Sequence, residues 1–301
     1  MKLTIAICTW NRAQLLKRTL DRITRITPPA NTWELIVINN NSADETEYVL
    51  DFYTSRLPLR RIFESQPGLS NARNAAIRNA TGEYIIWTDD DVLVDREWLV
   101  AYEQAFRRWP DASVFGGPVK PWFENTPPSW LSTVWREVAN AYAIRDFGSE
   151  PISLDIENNI IPFGANFAVK ISEQRKFFYD PNLGRKMQHG TLGEETAVVR
   201  AILNSGYSGW WVPGASVQHW IPREKQTLSY LKSYWRLHGK HLAKDYEGLA
   251  NVPIFFGRPR WLWRKAVEAE ITYYISRLSG DPRRWIKPLM QASVYWGALR
   301  K

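Results

Sequence analysis

The chain has 301 residues, one cysteine and a formal net charge of +8, and 45% of its residues are hydrophobic. This length allows one large or two small domains with a sizeable core, so stability does not require a disulfide or a cofactor. The single cysteine, Cys8, ends an apolar run and excludes an intramolecular disulfide, so a buried thiol in a reducing compartment is expected.

The positive charge is concentrated towards the C-terminus. Residues 221–301 contain 16 Lys and Arg against 6 Asp and Glu, whereas residues 1–220 contain 23 against 25. Such a basic segment can attract nucleic acid or an anionic membrane surface. The N-terminal residues show no secretory signal, which predicts a cytoplasmic protein, and the uncharged stretch 201–222 is too rich in Gly, Pro and polar residues to span a bilayer.

Apolar periodicity predicts alternating strands and helices over the first 110 residues. The predicted strands are 3–8, 35–38, 61–63 and 84–87, and the predicted helices are 11–26, 44–53, 70–79 and 98–109. Such alternation predicts a Rossmann-like, mainly parallel central sheet flanked by helices, which binds ligands at the carboxyl ends of its strands. Polar clusters follow the first, second and fourth strands at residues 9–12, 39–42 and 89–91. We therefore expect a site at that edge.

The second half of the chain is less regular at first and then helical. A segment rich in Pro, Trp and Asn runs from Gly116 to about residue 179, as is typical of acceptor-binding loops. Helices are predicted at 192–204, 228–246 and 261–278. The inward positions of the first are Ala197, Val198, Ala201 and Ile202. The last carries an apolar stripe of Trp263, Val267, Ile271, Tyr274, Ile275 and Leu278, here named the α10 stripe.

Asp89, Asp90 and Asp91 are three adjacent carboxylates at a predicted strand end. They repel one another, which favours either a bound cation or full solvation. Asp89 and Asp91 point the same way on an extended segment and offer the hard oxygen ligands that Mg²⁺ or Mn²⁺ prefers. The triplet alone leaves open a metal site bridging a diphosphate and a solvated acidic turn.

The ordered set of motifs resembles the family 2 glycosyltransferases of the GT-A fold, which are inverting nucleotide-diphospho-sugar transferases. The resemblance rests on "TIAICTWNR", "ELIVINNNSADET", "GLSNARNAAIRNATGEYIIWTDDD", "FGANFAVK" and "GEETAVVRAI". It implies that the nucleotide sugar is bound by Thr9, Asn11, Arg12, Asn40, Arg73, Asp89 and Asp90. In this assignment Asn40 meets the uracil edge, Arg73 lies beside the nucleotide, and Asp91 holds the metal.

The resemblance also assigns the remaining site residues. Glu195 would be the general base of a direct, inverting displacement, with Glu194 as the alternative acid, although the family usually has Glu-Asp at these two positions. His219 would complete the metal site, and Gly164 and Asn166 would lie near the donor sugar. Trp210, Trp211 and Trp220 either stack on a sugar or fill the core, and we expect at least two of them in the core.

These inferences predict an inverting hexosyltransferase-type enzyme that needs Mn²⁺ or Mg²⁺. It would move a sugar from a nucleotide-diphosphate sugar, with UDP favoured, to a saccharide or lipid-linked glycan in polysaccharide or glycoconjugate synthesis. Residues 1–117 would bind the donor, 118–225 would form the acceptor-binding and catalytic half, and 226–301 would be a basic aromatic helical extension. That extension, with Trp261, Trp263, Arg264 and Lys265, would either place the cytoplasmic protein on the inner face of the cell membrane or pack on the catalytic domain with its basic side solvated.

Three alternative functions make different demands on the sequence. A catalytically inactive nucleotide- or glycan-binding module would keep the fold but release no nucleotide. A sugar-phosphate nucleotidyltransferase needs a glycine-rich loop after the first strand, and the sequence CTWNRAQLLK contains no glycine. Nucleic-acid binding is not expected, because the chain contains no recognisable module for it.

Overall fold

A computed structural model describes residues 1–181, 193–242 and 252–300. The first unit contains β1 (Lys2–Thr9), α1 (Ala13–Ile23), β2 (Thr32–Asn39), α2 (Thr46–Thr54), β3 (Leu59–Phe63), α3 (Leu69–Asn79), β4 (Tyr84–Asp89), β5 (Val92–Val94), α4 (Trp98–Arg108), β6 (Val114–Gly116) and most of β7 (Val119–Phe123). The chain continues through α5 (Ser129–Thr133), α6 (Trp135–Val138), a 3₁₀ turn (Ala139–Tyr142), β8 (Asn166–Lys170), α7 (Ile171–Gln174), α8 (Glu194–Asn204), β9 (Gly209–Trp211) and β10 (Val217–Ile221). After a second 3₁₀ turn (Arg223–Lys225) come α9 (Leu228–Leu242), β11 (Ile254–Phe255), β12 (Arg258–Pro259), α10 (Arg260–Arg277) and α11 (Pro282–Leu299).

The chain divides into two compact units. Unit 1 comprises Met1–Trp122 and Ala143–Trp220, and unit 2 comprises Phe123–Tyr142 and Ile221–Lys301. Residues 123–142, which the sequence placed in the catalytic half, thus cluster with the C-terminal helices. Residue 192 and residues 243–246 of two predicted helices lie outside the described residues.

Unit 1 is built on a seven-stranded sheet of order β3-β2-β1-β4-β8-β6-β9. Strands β1 to β4 are parallel, and β8 is antiparallel to both of its neighbours. The central strands are continuous apolar runs because helices cover both faces of a parallel sheet. Ile5, Ile36 and Ile86 are accordingly fully buried. The prediction of a mainly parallel sheet flanked by helices is confirmed.

Strand register fixes which residues meet at the functional edge. Thr9 pairs with Asn39, and Cys8 pairs with Asp89, so the polar segments after β1, β2 and β4 begin side by side. The antiparallel β8 starts at the same edge with Asn166, opposite Thr88. Three polar segments that are distant in sequence therefore converge at one end of the sheet.

One carboxylate joins the beginnings of α1 and α2. Asp44 Oδ2 accepts from the Ala13 N–H at 2.9 Å, and its Oδ1 accepts from the Thr46 N–H at 3.2 Å. These N–H groups have no partner within their own helices, and a negative charge near them is stabilising. The Asp44 carboxylate thereby holds the loops after β1 and β2 together below the functional edge.

A second sheet of order β5-β10-β7 lies beside this edge. Its register places His219 opposite Val92, and the Trp220 N–H donates to the Asp91 carbonyl at 3.0 Å. In α8 the prediction for Ala197 is wrong. Ala197 is exposed and Val199 is buried in its place, because the buried face of the helix also includes Glu194 at its start.

In unit 2 the helices α9, α10 and α11 pack together, and α9 and α11 come unusually close. A Cβ on Gly239 would lie 1.9 Å from the Val294 carbonyl oxygen, and one on Gly297 would lie 2.0 Å from that of Arg236. Only glycine allows two helix backbones to approach this closely. Within the described residues, no helix is both long enough and apolar enough to cross a bilayer.

Most of the α10 stripe faces away from the other helices, although the Trp263 ring lies 6.3 Å from that of Trp296 on α11. The buried side chains of α10 are Leu262, Ala266, Ala269 and Tyr273, whereas Ile275 is 64% exposed and Leu278 is 87% exposed. Alanine at two of the buried positions permits close packing against neighbouring helices. From Val267 to Leu278 the α10 stripe is therefore on the solvent side of this helix.

Candidate active site

Asp90 is the middle residue of the acidic triplet, and it is buried. Its Oδ2 accepts from Thr9 Oγ1 at 2.8 Å and its Oδ1 from Arg12 Nη1 at 2.6 Å, while its carbonyl accepts from Thr19 Oγ1. Burial raises the pKa of the Asp90 carboxyl to about 7, against the opposing charge of Arg12 and with added repulsion from Asp91. Asp90 thus joins the β4 end to β1 and α1.

Asp91 is the acid that fits a metal ion. Its Oδ2 accepts from Arg12 Nη2 at 2.6 Å, while its Oδ1 faces His219 Nε2 at 3.5 Å. This buried Oδ1 has no hydrogen-bond partner among the described residues. Burial opposes ionisation of Asp91, but His219 and Arg12 outweigh it and hold the pKa of this carboxyl well below its usual range.

These two side chains form an incomplete protein cage. The described residues contain no group of three or more His, Cys, Asp or Glu side chains arranged to hold a metal. An octahedral Mg²⁺ site commonly uses one or two protein ligands and takes the rest from substrate phosphates and water. A buried carboxylate oxygen with no hydrogen-bond partner, 3.5 Å from an imidazole nitrogen, fits a metal of that kind.

Arg73 lies beneath the acids and binds three of them. The side chain is only 2% exposed, and its Nη atoms lie 3.3 Å from Glu194 Oε1, 2.8 Å from Glu195 Oε1 and 3.8 Å from Asp89 Oδ1. These carboxylates hold the pKa of the guanidinium well above its usual value despite its burial. The sequence-based assignment places Arg73 beside the nucleotide, whereas its charged end is here engaged by α8 and β4.

The two candidate bases differ in exposure. Only 4% of the Glu194 side chain is exposed, against 20% for Glu195, so Glu195 is the more accessible of the two acids. Glu195 also lies directly on Gly164, where an added Cβ would be 2.1 Å from Glu195 Oε1. Gly164 therefore leaves the space that the Glu195 carboxylate occupies.

Asp89 is the most exposed member of the triplet. Burial raises the pKa of its carboxyl, Arg73 partly offsets this, and repulsion from Asp91 and Glu195 adds to it. A cation or a hydrogen-bond donor entering the site would therefore favour the ionised form of Asp89.

Two predicted nucleotide contacts are engaged by the backbone. Asn40 Nδ2 donates to the carbonyls of Glu64 and Gln66, and its Oδ1 accepts from the Gly68 N–H at 2.9 Å. Asn11 has a φ of 51° and its Oδ1 accepts from the Ala43 N–H. Both side chains shape the loops of this edge.

The Asn166 side chain is fully buried, and the expectation that this residue lies near the donor sugar stays a prediction. Its Oδ1 accepts from Trp98 Nε1 and Tyr102 Oη, and its Nδ2 donates to the carbonyls of Pro118 and Ala215. All of its polar capacity is thereby used within the core.

At least two of Trp210, Trp211 and Trp220 were expected in the core, but only one of them is fully buried. Trp211 is fully buried, while Trp210 stacks on Trp109 at 4.5 Å and remains partly exposed. Trp220 is also partly exposed, with the Arg18 guanidinium over its ring.

Sequence reasoning missed Tyr179 and Asn74. The Tyr179 ring lies 5.2 Å from the Arg73 guanidinium, and its buried hydroxyl has no hydrogen-bond partner among the described residues. Asn74 fixes Tyr179 by accepting from its N–H and donating to its carbonyl. The position of Asn74, next to Arg73 on α3, was the available signal, but its partner is 105 residues away.

The fold and this edge define a GT-A glycosyltransferase domain. A mannosyltransferase from Pyrobaculum calidifontis, solved with GDP-Man and Mn²⁺, superposes with a TM-score of 0.64 over 98% of this chain and 85% of its own, at 18% identity. Residues 1–349 of TarS from S. aureus, solved with UDP-GlcNAc, superpose with a TM-score of 0.57 over 99% of this chain and 90% of theirs, at 12% identity. Residues 4–166 match Glycosyl transferase family 2, and the chain belongs to that family.

Relatives by sequence are also glycosyltransferases or glycan-synthesis proteins. Validoxylamine A glucosyltransferase of Streptomyces hygroscopicus subsp. jinggangensis is 28% identical over 50% of this chain, which spans only 36% of that relative's length. Succinoglycan biosynthesis protein ExoM of Rhizobium meliloti is 25% identical over 84% of this chain and 79% of its own length. The predictions of a family 2, GT-A glycosyltransferase are confirmed.

Proposed function

We propose that this chain transfers a sugar from a nucleotide-diphosphate sugar, with UDP favoured, to a hydroxyl of a saccharide or lipid-linked glycan, with inversion at the anomeric carbon. The proposal rests chiefly on Asp91. This carboxylate has a lowered pKa, directs one oxygen without a hydrogen-bond partner at His219, and comes two residues after Asp89, one of the acids that pair with Arg73. The structural neighbours solved with nucleotide sugars support the donor class.

Asp91 and His219 would hold Mn²⁺ or Mg²⁺, which when bound supplies positive charge to the donor diphosphate. Arg12 holds the second oxygen of Asp91 and one of Asp90, so the carboxylates keep fixed orientations in the absence of donor. Thr9 adds a hydrogen bond to Asp90. This preorganisation reduces the rearrangement required when the donor binds.

Glu195 takes the proton of the acceptor hydroxyl as that oxygen attacks the anomeric carbon and the bond to the diphosphate breaks. A single displacement inverts the configuration, and the general base belongs on the acceptor side. Arg73 orients the Glu195 carboxylate, while Gly164 gives it room. Glu194 is more deeply buried and serves in this proposal to anchor Arg73.

The donor and acceptor are proposed from chemistry and from similarity. UDP is favoured because of the site resemblance and the TarS structure with UDP-GlcNAc. GDP-sugars are the donors to compare with UDP-sugars, because the mannosyltransferase neighbour was solved with GDP-Man. A saccharide acceptor is supported by similarity to ExoM, which is named for succinoglycan biosynthesis and aligns over most of this chain.

The test separates donor binding from chemistry. We would measure donor binding by calorimetry with and without Mn²⁺, and nucleotide release with a panel of UDP- and GDP-sugars, for Asp91→Asn and Glu195→Gln. Asp91→Asn should abolish metal-dependent binding. Glu195→Gln should retain it and lose about 100- to 10,000-fold in turnover. The exposed Asp111→Asn and Glu150→Gln serve as matched controls with wild-type behaviour.

An inactive binding module is the second candidate, because the family's usual Asp is Glu195 here. Donor binding with no nucleotide release from any donor, by wild type and Glu195→Gln alike, would establish that alternative. Full metal-dependent binding by Asp91→Asn would contradict the metal assignment.

A further inference from the structure

Helix α10 is apolar on two faces, of which only one is covered. Leu262, Ala266 and Tyr273 are buried within unit 2, while Ile275 and Leu278 on the opposite side are largely exposed. A surface helix of a globular protein ordinarily has one apolar face and one polar face. The second apolar face of α10 is not shielded from water by the described residues, which indicates that it packs against something outside them.

The exposed part of the α10 stripe is joined through the partly buried Trp263 to a hairpin beyond the helix. The α10 stripe runs from residue 263 to residue 278, which is about 22 Å at the helical rise. At its beginning, Trp263 contacts the rings of Phe255 and Phe256 at 6.0 and 6.2 Å, and its Nε1 donates to the Phe255 carbonyl. The aromatic hairpin and the stripe thus form one apolar surface.

The hairpin presents a phenylalanine at a strained position. Phe256 and Gly257 connect β11 to β12 with φ values of 47° and 73°. Two-residue turns with both φ values positive favour Asn-Gly, and bulky residues rarely adopt this conformation. Phe256 nevertheless occupies the first position with 78% of its surface exposed. The strained backbone and the exposed ring of Phe256 together indicate that this residue contacts a partner outside the chain.

Positive charge accompanies this surface. Residues 252–300 contain nine Lys and Arg against three Asp and Glu. Arg264 and Lys265 are exposed on α10 near Trp263 and share one acidic neighbour, Glu268, at 3.5 and 3.8 Å. A second copy of this surface would bring like charges together, whereas anionic headgroups would be complementary to it.

We infer that the α10 stripe and the Phe255–Phe256 hairpin form a docking surface for an anionic membrane leaflet. The apolar side chains enter the boundary between headgroups and acyl chains, and the flanking cations contact lipid phosphates. Aromatic residues at this depth match their preference for the membrane interface. This surface would hold the enzyme beside lipid-linked acceptors without a membrane-spanning helix.

The test uses the full chain and vesicles of two compositions. Flotation should recover the protein with equimolar phosphatidylglycerol and phosphatidylcholine, and far less with phosphatidylcholine alone. Ile275→Ser/Leu278→Ser should reduce partitioning at least about tenfold, since both side chains are exposed and the fold is kept. Arg264→Gln/Lys265→Gln should reduce it about fivefold per charge at low salt.

The matched control is Tyr48→Ser/Phe52→Ser, which removes exposed aromatics from α2 and should bind vesicles as wild type does. Circular dichroism verifies folding of each variant. Absence of vesicle binding by wild type would overturn the inference, as would equal loss in the α2 control. A dimer in analytical ultracentrifugation that Ile275→Ser/Leu278→Ser dissociates would assign the surface to a second copy instead.

Discussion

Replacement of Arg73 by methionine removes a buried cation that pairs with Glu194, Glu195 and Asp89. Loss of one member of a buried ion pair costs about 3–5 kcal/mol, because its partner loses a compensating charge. The guanidinium is 2% exposed and Glu194 is 4% exposed, so the full range applies. We expect Arg73→Met to lower the thermal unfolding midpoint by about 6–20 °C at neutral pH.

The assay is thermal unfolding by circular dichroism, with Arg78→Met as the control. Arg78 lies on the same helix but is 55% exposed and pairs with Glu64 at 3.6 Å, so its loss should cost under about 1 kcal/mol. Adding Glu194→Gln and Glu195→Gln to Arg73→Met should recover at least about 1 kcal/mol through coupling. If Arg73→Met unfolds as wild type does and only donor affinity falls, Arg73 binds the nucleotide and this reasoning fails.

The remaining predictions concern a close approach, a titrating carboxylate and a helix crossing. Gly164→Ala should displace the Glu195 carboxylate and lower turnover about 100-fold while donor binding persists, and a wild-type rate would contradict this placement. Burial opposes ionisation of Glu34, but hydrogen bonds from Thr81, Arg60 and Thr4 outweigh it and lower its pKa to about 2. Glu34→Gln should therefore lower the free energy of unfolding by about 2 kcal/mol above pH 4.3. The difference from wild type should vanish as the pH falls through about 2, and an unchanged difference at acid pH would exclude this cause. Gly239→Ala should force α9 from α11 and cost about 1–3 kcal/mol in denaturant unfolding, and an unaltered midpoint would show that the helices can separate freely.

The parallel part of the sheet in the first half of the chain was largely predictable from sequence. Buried strands in a parallel sheet are continuous apolar runs, so β1, β2 and β4 were located to within a few residues. Their polar ends then had to share an edge, which placed Thr9, Asn40 and Asp89 together. Local pattern and sheet geometry are sufficient for this part because each strand carries its own signal.

Contacts between distant residues were not predictable. The motif that contains Asn166 does not reveal the four hydrogen-bond partners of its side chain. Only the fold brings these partners to it from distant parts of the sequence. For α10, periodicity identified the row of large apolar residues, yet helix packing selected the row with Ala266 and Ala269. Arg73 was assigned by resemblance alone. The residues around it in the sequence do not reveal that Glu194 and Glu195, 121 and 122 residues further along the chain, approach its side chain.

The position of β8 in the sheet affects the order in which the chain can fold during synthesis. Strands β1 to β4 can pair as soon as residue 89 is available, but the free edge of β4 waits for β8, which begins at Asn166. At ribosomal rates this interval of almost eighty residues lasts about 4–16 s. Until then β4 presents the unpaired, apolar edge Tyr84–Asp89, and unpaired edges of that kind recruit other strands. The early sheet is therefore the state in which this protein is most exposed to aggregation.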